Sequence, residues 1–416
     1  MELKRVVITG IGALTPIGNS AADYFDSLKK GVSGSAPITK FDASKFKTRF
    51  ACEVKGFEVE NFIHRKDARK LDIFSQYAVV TAEEAVLDSG MNLEEVDTDR
   101  IGVIWGAGIG GLKTLQDEVQ NFYAGDGTPK FNPFFIPKMI ADIAAGHISI
   151  KYGFRGPNFA TVSACASSTN ALIDAFNYIR LGKANAILAG GSEAAVNETG
   201  IGGFNALHAL SQNNDDPKTA SKPFDKNRNG FVLGEGAGAI MLEEYDHAIA
   251  RGAKIYAEVV GGGLSGDAHH ITAPHPEGIG ARNAMIEALR DAEIEPSDID
   301  YINVHGTSTP LGDIAESKAI KKVFGDDAYN LNISSTKSMT GHLLGAAGVV
   351  EALACILAVT KDIIPPTINH TEIDPELDEK LNFTFNTPQK RTVNYALSNT
   401  FGFGGHNATL IIKKYK

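Results

Sequence analysis

The sequence is poor in cysteine. Its 416 residues include three cysteines, Cys52, Cys165 and Cys355. An odd and sparse set does not form a disulfide framework, and the spacing fits no zinc site. This usage is typical of the reducing cytoplasm, which we predict as the compartment of the protein.

Long basic runs and long apolar segments are also missing. The formal net charge is −10, and no basic run is present to neutralise phosphates, so we expect no nucleic-acid partner. The most apolar late stretch, around 353–359, is predicted to be too short to span a bilayer. Near the N-terminus, the apolar residues 6–8 are followed by Thr9 and Gly10, which is more typical of a first β-strand than of a signal peptide. We therefore expect no membrane insertion.

What the sequence does contain is an alternation of strand-like and helix-like segments with glycine-rich loops between them. This alternation favours a layered α/β architecture. The pattern also repeats, because segment 84–88 leads into 100–106 as segment 287–291 leads into 301–306. Each time an amphipathic helix precedes a short apolar strand that ends in glycine. Two related halves would explain the repeat, although generic βα units would also give it.

Some segments invite interpretations that their context does not support. Segments 106–111 and 261–266 both satisfy G-x-G-x-x-G, but neither comes with a convincing βαβ unit and an acidic ribose ligand. We predict that these glycines permit tight turns and close backbone contacts. Segment 203–228 is rich in Asn, Asp and Lys and predicts a surface loop. His269 and His270 beside Asp267 form an incomplete ligand set, so no metal site is predicted.

Cys165 is the candidate nucleophile. It follows a short β-prone stretch in TVSACASSTN and precedes a helical pattern of apolar residues. A thiol at a helix start is favoured as thiolate by the free N–H groups and the helix dipole, which predicts a lowered pKa. A free cysteine is more often a small buried hydrophobic residue, and we keep that interpretation for Cys52 and Cys355. From the residues alone, both interpretations of Cys165 stay open.

Three further segments accompany Cys165, namely VHGTSTP at 304–310, KSMTGH at 337–342 and FGFGGHN at 401–407. Together these four segments resemble the β-ketoacyl-[acyl-carrier-protein] synthases, the condensing enzymes of fatty-acid synthesis. The match is closest to the type II, long-chain elongating form. The resemblance covers essentially the whole chain, from segment 5–12 to segment 407–412.

The resemblance implies a fold and a domain organisation. It implies a thiolase-like, five-layer α-β-α-β-α fold built from two duplicated halves, with the site between them. Residues 1–253 would form the half that carries the nucleophilic cysteine. Residues 254–416 would form the half that carries two catalytic histidines.

The resemblance also implies the roles of the catalytic residues. Cys165 would carry the acyl chain, and its backbone N–H together with that of Phe403 would bind the oxyanion. His305 and His342 would donate hydrogen bonds to the malonyl thioester oxygen during decarboxylation. Phe403 would also gate the acyl pocket, and its flanking glycines fit a moving backbone as well as a tight turn.

Further positions carry over from the same resemblance. Lys337, also placed among the catalytic residues, would pair with Glu351 in a structural and electrostatic network. The substrate-binding residues would be Thr307 and Thr309, which bond the phosphopantetheine arm, Thr272 and Phe401 at the site, and Ile109, Phe134 and Phe135 at the acyl pocket. The family commonly has Thr where this chain has His406, so the resemblance gives His406 no role.

The resemblance implies the partners as well. The protein would act on acyl and malonyl forms of acyl carrier protein, as a homodimer. It would need no cofactor, because phosphopantetheine arrives with the carrier protein. Acyl chain length and the carrier-binding surface are not given. The alternatives are a type I-like synthase or a ketosynthase of a polyketide or aryl-polyene pathway, a Cys–His hydrolase, and a non-catalytic chain-length factor.

Overall fold

The computed structural model describes residues 3–416. Within them the chain forms fourteen β-strands and thirteen α-helices, joined by loops and short 3-10 turns. The strands are β1 (Val6–Leu14), β2 (Ala36–Pro37), β3 (Phe50–Ala51), β4 (Ile101–Gly106), β5 (Asn158–Thr161), β6 (Ala186–Glu193), β7 (Gly236–Glu244), β8 (Ala257–Gly266), β9 (Tyr301–Asn303), β10 (Asn332–Ser334), β11 (Ile363–Ile364), β12 (Gln389–Lys390), β13 (Tyr395–Gly402) and β14 (His406–Lys414). The helices are α1 (Ala21–Lys30), α2 (Arg65–Ala68), α3 (Ile73–Asp88), α4 (Leu112–Ala124), α5 (Phe135–Met139), α6 (Ile143–Tyr152), α7 (Ser167–Arg180), α8 (Glu198–Ala206), α9 (Tyr245–Ala250), α10 (Ile279–Ala292), α11 (Pro310–Phe324), α12 (Lys337–Thr340) and α13 (Ala347–Lys361).

Ten strands form one mixed sheet in the order β10-β9-β13-β14-β8-β1-β7-β6-β4-β5. A short antiparallel pairing of β1 with β8, from Val6–Val259 to Ile8–Ala257, joins its two halves. Counted from the first strand of each half, both halves show the strand order 1-5-4-2-3. The expected first strand at residues 6–8 is found as the start of β1. The predicted boundary at residue 253 falls between α9 and β8, and the division into 1–253 and 254–416 stays a prediction.

Helices cover the outer faces of the sheet, and two more helices lie between its two halves. Helix α7 contacts β4 and β6 of the first half and β14 of the second, while α13 contacts β13 and β7. These two helices therefore lie between the strands of the two halves. Helix α3 packs on the outer face of β1 and β7, and α10 packs on the outer face of β8 and β14. The result is the predicted five-layer α-β-α-β-α arrangement.

The apolar segment that contains the central helix α13 is longer than the stretch 353–359 that the sequence indicated. Residues 344–361 have a mean hydropathy of 1.7 and are long and apolar enough to cross a membrane by length and composition. The expectation that this stretch is too short is therefore wrong. Burial explains its composition, because 89% of the segment lies inside the protein, between the two sets of strands. Among residues 3–416 it is the one helix with these properties.

The two glycine motifs have different structural roles. Segment 106–111 is the turn between β4 and α4, as expected. Segment 261–266 instead lies within β8, where a Cβ on Gly261 would lie 2.4 Å from the carbonyl oxygen of Ala288. A Cβ on Gly263 would lie 2.0 Å from the carbonyl oxygen of Ala284. These glycines therefore allow close packing of α10 on the strand, and no turn is present.

The prediction of a surface loop at 203–228 is wrong for the end of that segment. Phe224 and Asp225 are fully buried and Arg228 is nearly so. The guanidinium of Arg228 lies 3.2 Å from the buried carboxylate of Asp313 and 2.6 Å from that of Asp374. Pairing with these carboxylates allows a charged residue to be buried there.

Candidate active site

Cys165 lies in a turn that the local sequence stabilises. After β5 the chain enters a 3-10 turn at Ala164–Ala166, and α7 follows directly. Ala164 has φ of 51°, which turns the chain sharply before the helix. The Ser167 hydroxyl accepts a hydrogen bond from Ser163 N–H at 3.0 Å and donates to the Ala164 carbonyl at 2.7 Å. The predicted helix-start position of Cys165 is thus found.

His342 meets Cys165 directly, although it lies 177 residues further along the chain. Its Nε2 is 3.0 Å from Cys165 Sγ. The N–H of Leu344 donates to His342 Nδ1 at 3.3 Å. A neutral ring that accepts at Nδ1 carries its hydrogen on Nε2, so His342 donates toward the sulfur. Hydrogen bonds from His342 N–H to the Val232 carbonyl (2.7 Å) and from Gly234 N–H to the His342 carbonyl (2.9 Å) hold this loop.

His305 completes the group around the thiol. Its ring lies 5.3 Å from the His342 ring at an interplanar angle of 87°. The sulfur and one ring nitrogen of each histidine lie within 4.8 Å of one another. The same distances would suit three metal ligands, and the absence of a metal stays a prediction. The carboxylate of Glu316 holds the loop that carries His305, because it accepts hydrogen bonds from the backbone N–H groups of His305 (2.9 Å) and Gly306 (2.8 Å).

Burial dominates the electrostatics of the three groups. It raises the pKa of the Cys165 thiol to about 12, against the opposing effects of Lys337 and the Phe403 backbone N–H. The expected lowering of the thiol pKa is therefore wrong, because desolvation outweighs the helix start. Burial and the Lys337 charge also hold the pKa of His305 and His342 well below 6.5. Both imidazoles are neutral near pH 7.

Lys337 supplies the positive charge next to this group. It is the first residue of α12, and its Nζ contacts the Glu351 carboxylate of α13. Both side chains are buried. Burial raises the pKa of Glu351 to about 7, while Lys337 opposes that shift. The positive charge of Lys337 favours the neutral forms of the two histidines.

A cavity of about 600 Å³ opens onto Cys165, His305 and His342. The hydroxyls of Thr307 and Thr309 lie 3.0 Å apart in its wall. The other sequence-predicted residues that line it are Ile109, Thr272, Phe401 and Phe403. The loop of the two threonines is held by Asp313, which accepts Ser308 N–H at 3.2 Å, and by Arg228, which donates to the Thr309 carbonyl at 3.2 Å.

Phe134 and Phe135 do not line this cavity. They lie at the start of α5, where Phe134 is exposed and the ring of Phe135 stacks on Phe131 at 5.6 Å. Their assignment to the acyl pocket therefore stays a prediction. His406 is exposed at the start of β14.

The sequence did not single out several residues that hold the site. Glu316, Arg228 and Asp313 support the histidine and threonine loops, and Glu193 supports the Ile109 loop. Only their positions in the chain could have indicated them. Glu193 ends an apolar strand, and Glu316 lies in the helix that follows His305. Such positions are common and do not identify a partner.

This combination of a helix-start nucleophile with two neutral hydrogen-bond donors suits carbon–carbon bond formation between thioesters, the chemistry of the condensing enzymes. The profile of the β-ketoacyl synthase N-terminal domain matches residues 3–248, and that of the C-terminal domain matches residues 256–371. The chain belongs to the β-ketoacyl synthase family. It is an acyltransferase, and its reaction is the condensation of fatty-acid elongation.

Relatives resemble the chain over its full length. It is 50% identical to a 3-oxoacyl-[acyl-carrier-protein] synthase 2 of Synechocystis sp., over 100% of this chain and 99% of the relative. It is 49% identical to the protein of that name from Staphylococcus aureus, over 99% of both. A β-ketoacyl synthase structure from Burkholderia phymatum matches with a TM-score of 0.92 and 36% identity, over 99% of this chain and 100% of that one. A type II PKS acyl-carrier protein in complex with its ketosynthase matches with a TM-score of 0.90 and 32% identity, over 99% and 100%. These matches confirm the predicted family and fold class.

Proposed function

We propose that the protein condenses an acyl group held on Cys165 with malonyl-[acyl-carrier-protein], releasing carbon dioxide and 3-oxoacyl-[acyl-carrier-protein]. The observation that carries this proposal is the 3.0 Å contact between Cys165 Sγ and an Nε2 that bears hydrogen. Fatty-acid substrates are favoured over polyketide ones, because the relatives at 49–50% identity are 3-oxoacyl synthases. The polyketide ketosynthase complex is 32% identical.

The first half-reaction transfers an acyl group to the enzyme. Cys165 sulfur attacks the carbonyl carbon of the acyl thioester and displaces the carrier thiolate, which leaves with the proton that the Cys165 thiol loses. The tetrahedral oxyanion needs fixed donors, for which the N–H groups of Cys165 and Phe403 are suited. The Phe403 backbone N–H acts on the sulfur already, since it lowers the pKa of the Cys165 thiol against the effect of burial.

The second half-reaction forms the carbon–carbon bond. The bond from the malonyl group to its carboxylate breaks, carbon dioxide leaves, and the electron pair moves onto the thioester oxygen as an enolate. His305 and His342 are placed to donate hydrogen bonds to that oxygen. The enolate carbon then attacks the acyl carbon on Cys165, the C–S bond breaks, and the freed thiolate takes a proton from water.

Acyl carrier protein is the partner that fits this reaction. One matching structure holds a ketosynthase with its acyl-carrier protein, at 32% identity to this chain. The hydroxyls of Thr307 and Thr309 lie on the cavity wall near His305, where they can hold a phosphopantetheine arm. The reaction needs no other cofactor, since each bond change above is made by protein groups and thioesters. Three unpaired cysteines fit the cytoplasm as the compartment.

A homodimer is favoured by the free edge of the sheet. Strand β5 is its last strand and pairs only with β4. Exposed apolar side chains precede and follow β5 in the chain, namely Ile150 at 81% and Val162 at 62% exposure. An unpaired strand edge flanked by exposed apolar side chains can pair with another chain. Sedimentation analysis should give a mass of twice 44.3 kDa, whereas a monomer over the micromolar range would overturn the dimer.

The function is tested by mixing the protein with acyl- and malonyl-carrier protein. Mass spectrometry should detect carbon dioxide and a 3-oxoacyl product two carbons longer than the acyl substrate. Free fatty acid without carbon dioxide would favour the hydrolase alternative and contradict the proposal. Failure of Cys165 to take up an acyl group would favour the non-catalytic alternative.

A further inference from the structure

One buried carboxylate next to the site has no part in the chemistry above. Glu193 is the last residue of β6, and its side chain is 0% exposed. Its Oε1 accepts the N–H groups of Ile109 and Gly110, both at 3.1 Å. Its Oε2 accepts those of Gly108 at 2.8 Å and Gly345 at 3.1 Å. Among residues 3–416 it forms no ion pair, so backbone N–H groups alone stabilise its charge.

The carboxylate lies where two backbone segments meet. A Cβ on Gly345 would lie 2.2 Å from the amide nitrogen of Gly108, and a Cβ on Gly108 would lie 2.8 Å from Glu193 Oε2. Both segments come just before helices, α4 and α13, whose starts favour a negative charge. Burial raises the pKa of Glu193 to about 7, while the four N–H donors oppose the shift.

The first of these segments carries a residue of the cavity wall. Ile109 lines the cavity that opens onto Cys165 and is 39% exposed. On the far side of the segment, Gly111 N–H donates to the Met139 carbonyl at 3.0 Å. The segment is therefore held between Glu193 on one side and the end of α5 on the other. Ile109 has no freedom to move unless one of these contacts opens.

We propose that Glu193 is a positioning residue that holds Ile109 in the cavity wall and so takes part in selecting the length of the acyl chain. This rests on the proposed function, because the chain selected is the acyl group of Cys165. Glutamine cannot replace the carboxylate, since its amide NH₂ would have to face N–H donors. In such a variant the segment that carries Ile109 would become more mobile, and the cavity would accept longer acyl chains.

The test compares Glu193→Gln with a matched control, Glu84→Gln. Glu84 is a partly buried carboxylate that likewise accepts backbone N–H groups, from Ala13 and Ala21 at 2.8 Å each, but it does not line the cavity. We measure kcat/KM for a short and a long acyl-carrier protein. The long-to-short ratio should rise on the order of tenfold in Glu193→Gln, the size of discrimination that a pocket wall provides. In Glu84→Gln the ratio should stay unchanged.

A second substitution separates positioning from a general loss of stability. If Glu193 acts through Ile109, its effect on the ratio should disappear when Ile109→Ala is already present. If Glu193→Gln does not fold, amide exchange of the unaltered protein replaces it. The Ile109 and Gly110 amides should then exchange slowly, and exchange at unprotected rates would overturn the proposal.

The two proposals fail in different ways. An unchanged chain-length ratio in a folded Glu193→Gln that still forms 3-oxoacyl product would overturn the positioning role alone. Absence of any 3-oxoacyl product from the unaltered protein would overturn the proposed function and the positioning role with it.

Discussion

The two halves of the molecule contain 3-10 turns of the same geometry that differ in their middle residue. In the first half, a 3-10 turn at Ala164–Ala166 begins with φ of 51° and leads into α7. In the second half, a 3-10 turn at Leu344–Ala346 begins with φ of 49° and leads into α13. The middle residue is Cys165 in one and Gly345 in the other, and the two turns are in contact.

The comparison separates the backbone N–H groups, which both turns provide, from the side chain that determines how they are used. Each turn offers backbone N–H groups at the start of a long helix, a favourable place for negative charge. In the second turn Glu193 occupies that place with its own carboxylate. In the first turn the corresponding place opens onto the cavity, where the proposed reaction would form its oxyanion. The two halves therefore share one turn geometry, and the carboxylate of Glu193 fills the helix start in the second half while the first stays open to the cavity.

The strongest way to break this comparison is to remove the side chain from the reactive turn. Cys165→Ala should lower condensation by at least about 1000-fold, as loss of a covalent nucleophile does in other enzymes. Its melting temperature should hardly change, because alanine fits the same turn. Cys355→Ala is the control, since Cys355 is buried in α13 and takes no part in the reaction. Condensation that survives in Cys165→Ala would refute the assignment.

The next largest effect is expected from the two donors that face the reactive turn. His305→Ala and His342→Ala should each lower carbon dioxide release by about 100-fold or more, the usual cost of losing a donor to a developing oxyanion. Cys165 should still become at least partly acylated in both. His247→Ala is the control, because His247 pairs with Glu243 outside the cavity. Undiminished decarboxylation in both active-site variants would contradict these roles.

In the second turn, Leu344–Ala346, a substitution should lower the stability of the protein and not its reaction rate. Gly345→Ala places a Cβ 2.2 Å from the Gly108 nitrogen, and overpacking of this kind should cost about 3 kcal/mol of unfolding free energy. Gly203→Ala is the matched control, since nothing lies within 4 Å of a Cβ there. Denaturant unfolding measures both. Equal stability of the two variants would show that the second turn is not tightly packed.

The smallest expected effect is a pH profile without an imidazole titration. The pKa of His305 and His342 lies well below 6.5, so both rings stay neutral as the pH falls from 8 to about 6.5. The rate of carbon dioxide release should therefore show no imidazole titration over this range, and a change with an apparent pKa near 7 would report the buried carboxylates such as Glu351. It must be measured on enzyme that is already acylated, because thiol ionisation has its own pH dependence. A fall with an apparent pKa near 6.5 would contradict the neutral, desolvated state of the pair.

The layered fold could be predicted in outline from the sequence. The alternation of elements, the repeated helix-to-strand segments and the first strand at residues 6–8 all correspond to parts of the structure. The length of the apolar segment 344–361 was underestimated, because a helix buried between the two halves of the sheet resembles a membrane span in composition. The burial of Arg228 also depends on partners that are distant in the sequence, Asp313 and Asp374.

The site could be predicted only through the family resemblance. Cys165 had a helix-start signal of its own, whereas the spacing of His305 and His342 says nothing about distance. The helix-start argument also gave the wrong direction for the thiol pKa, because it could not include burial. The roles of Glu193 and Glu316 were not recognised, since their partners are backbone N–H groups of loops that approach only in the fold.

The central claim is that the turn of the first half carries the acyl chain. The most direct test incubates the protein with acyl-carrier protein, digests it, and weighs the peptide that contains Cys165. That peptide should gain the mass of the acyl group, and malonyl-carrier protein should remove it with release of carbon dioxide and 3-oxoacyl product. An acyl group found on Cys52 or Cys355, or product formed while Cys165 stays unmodified, would contradict the account.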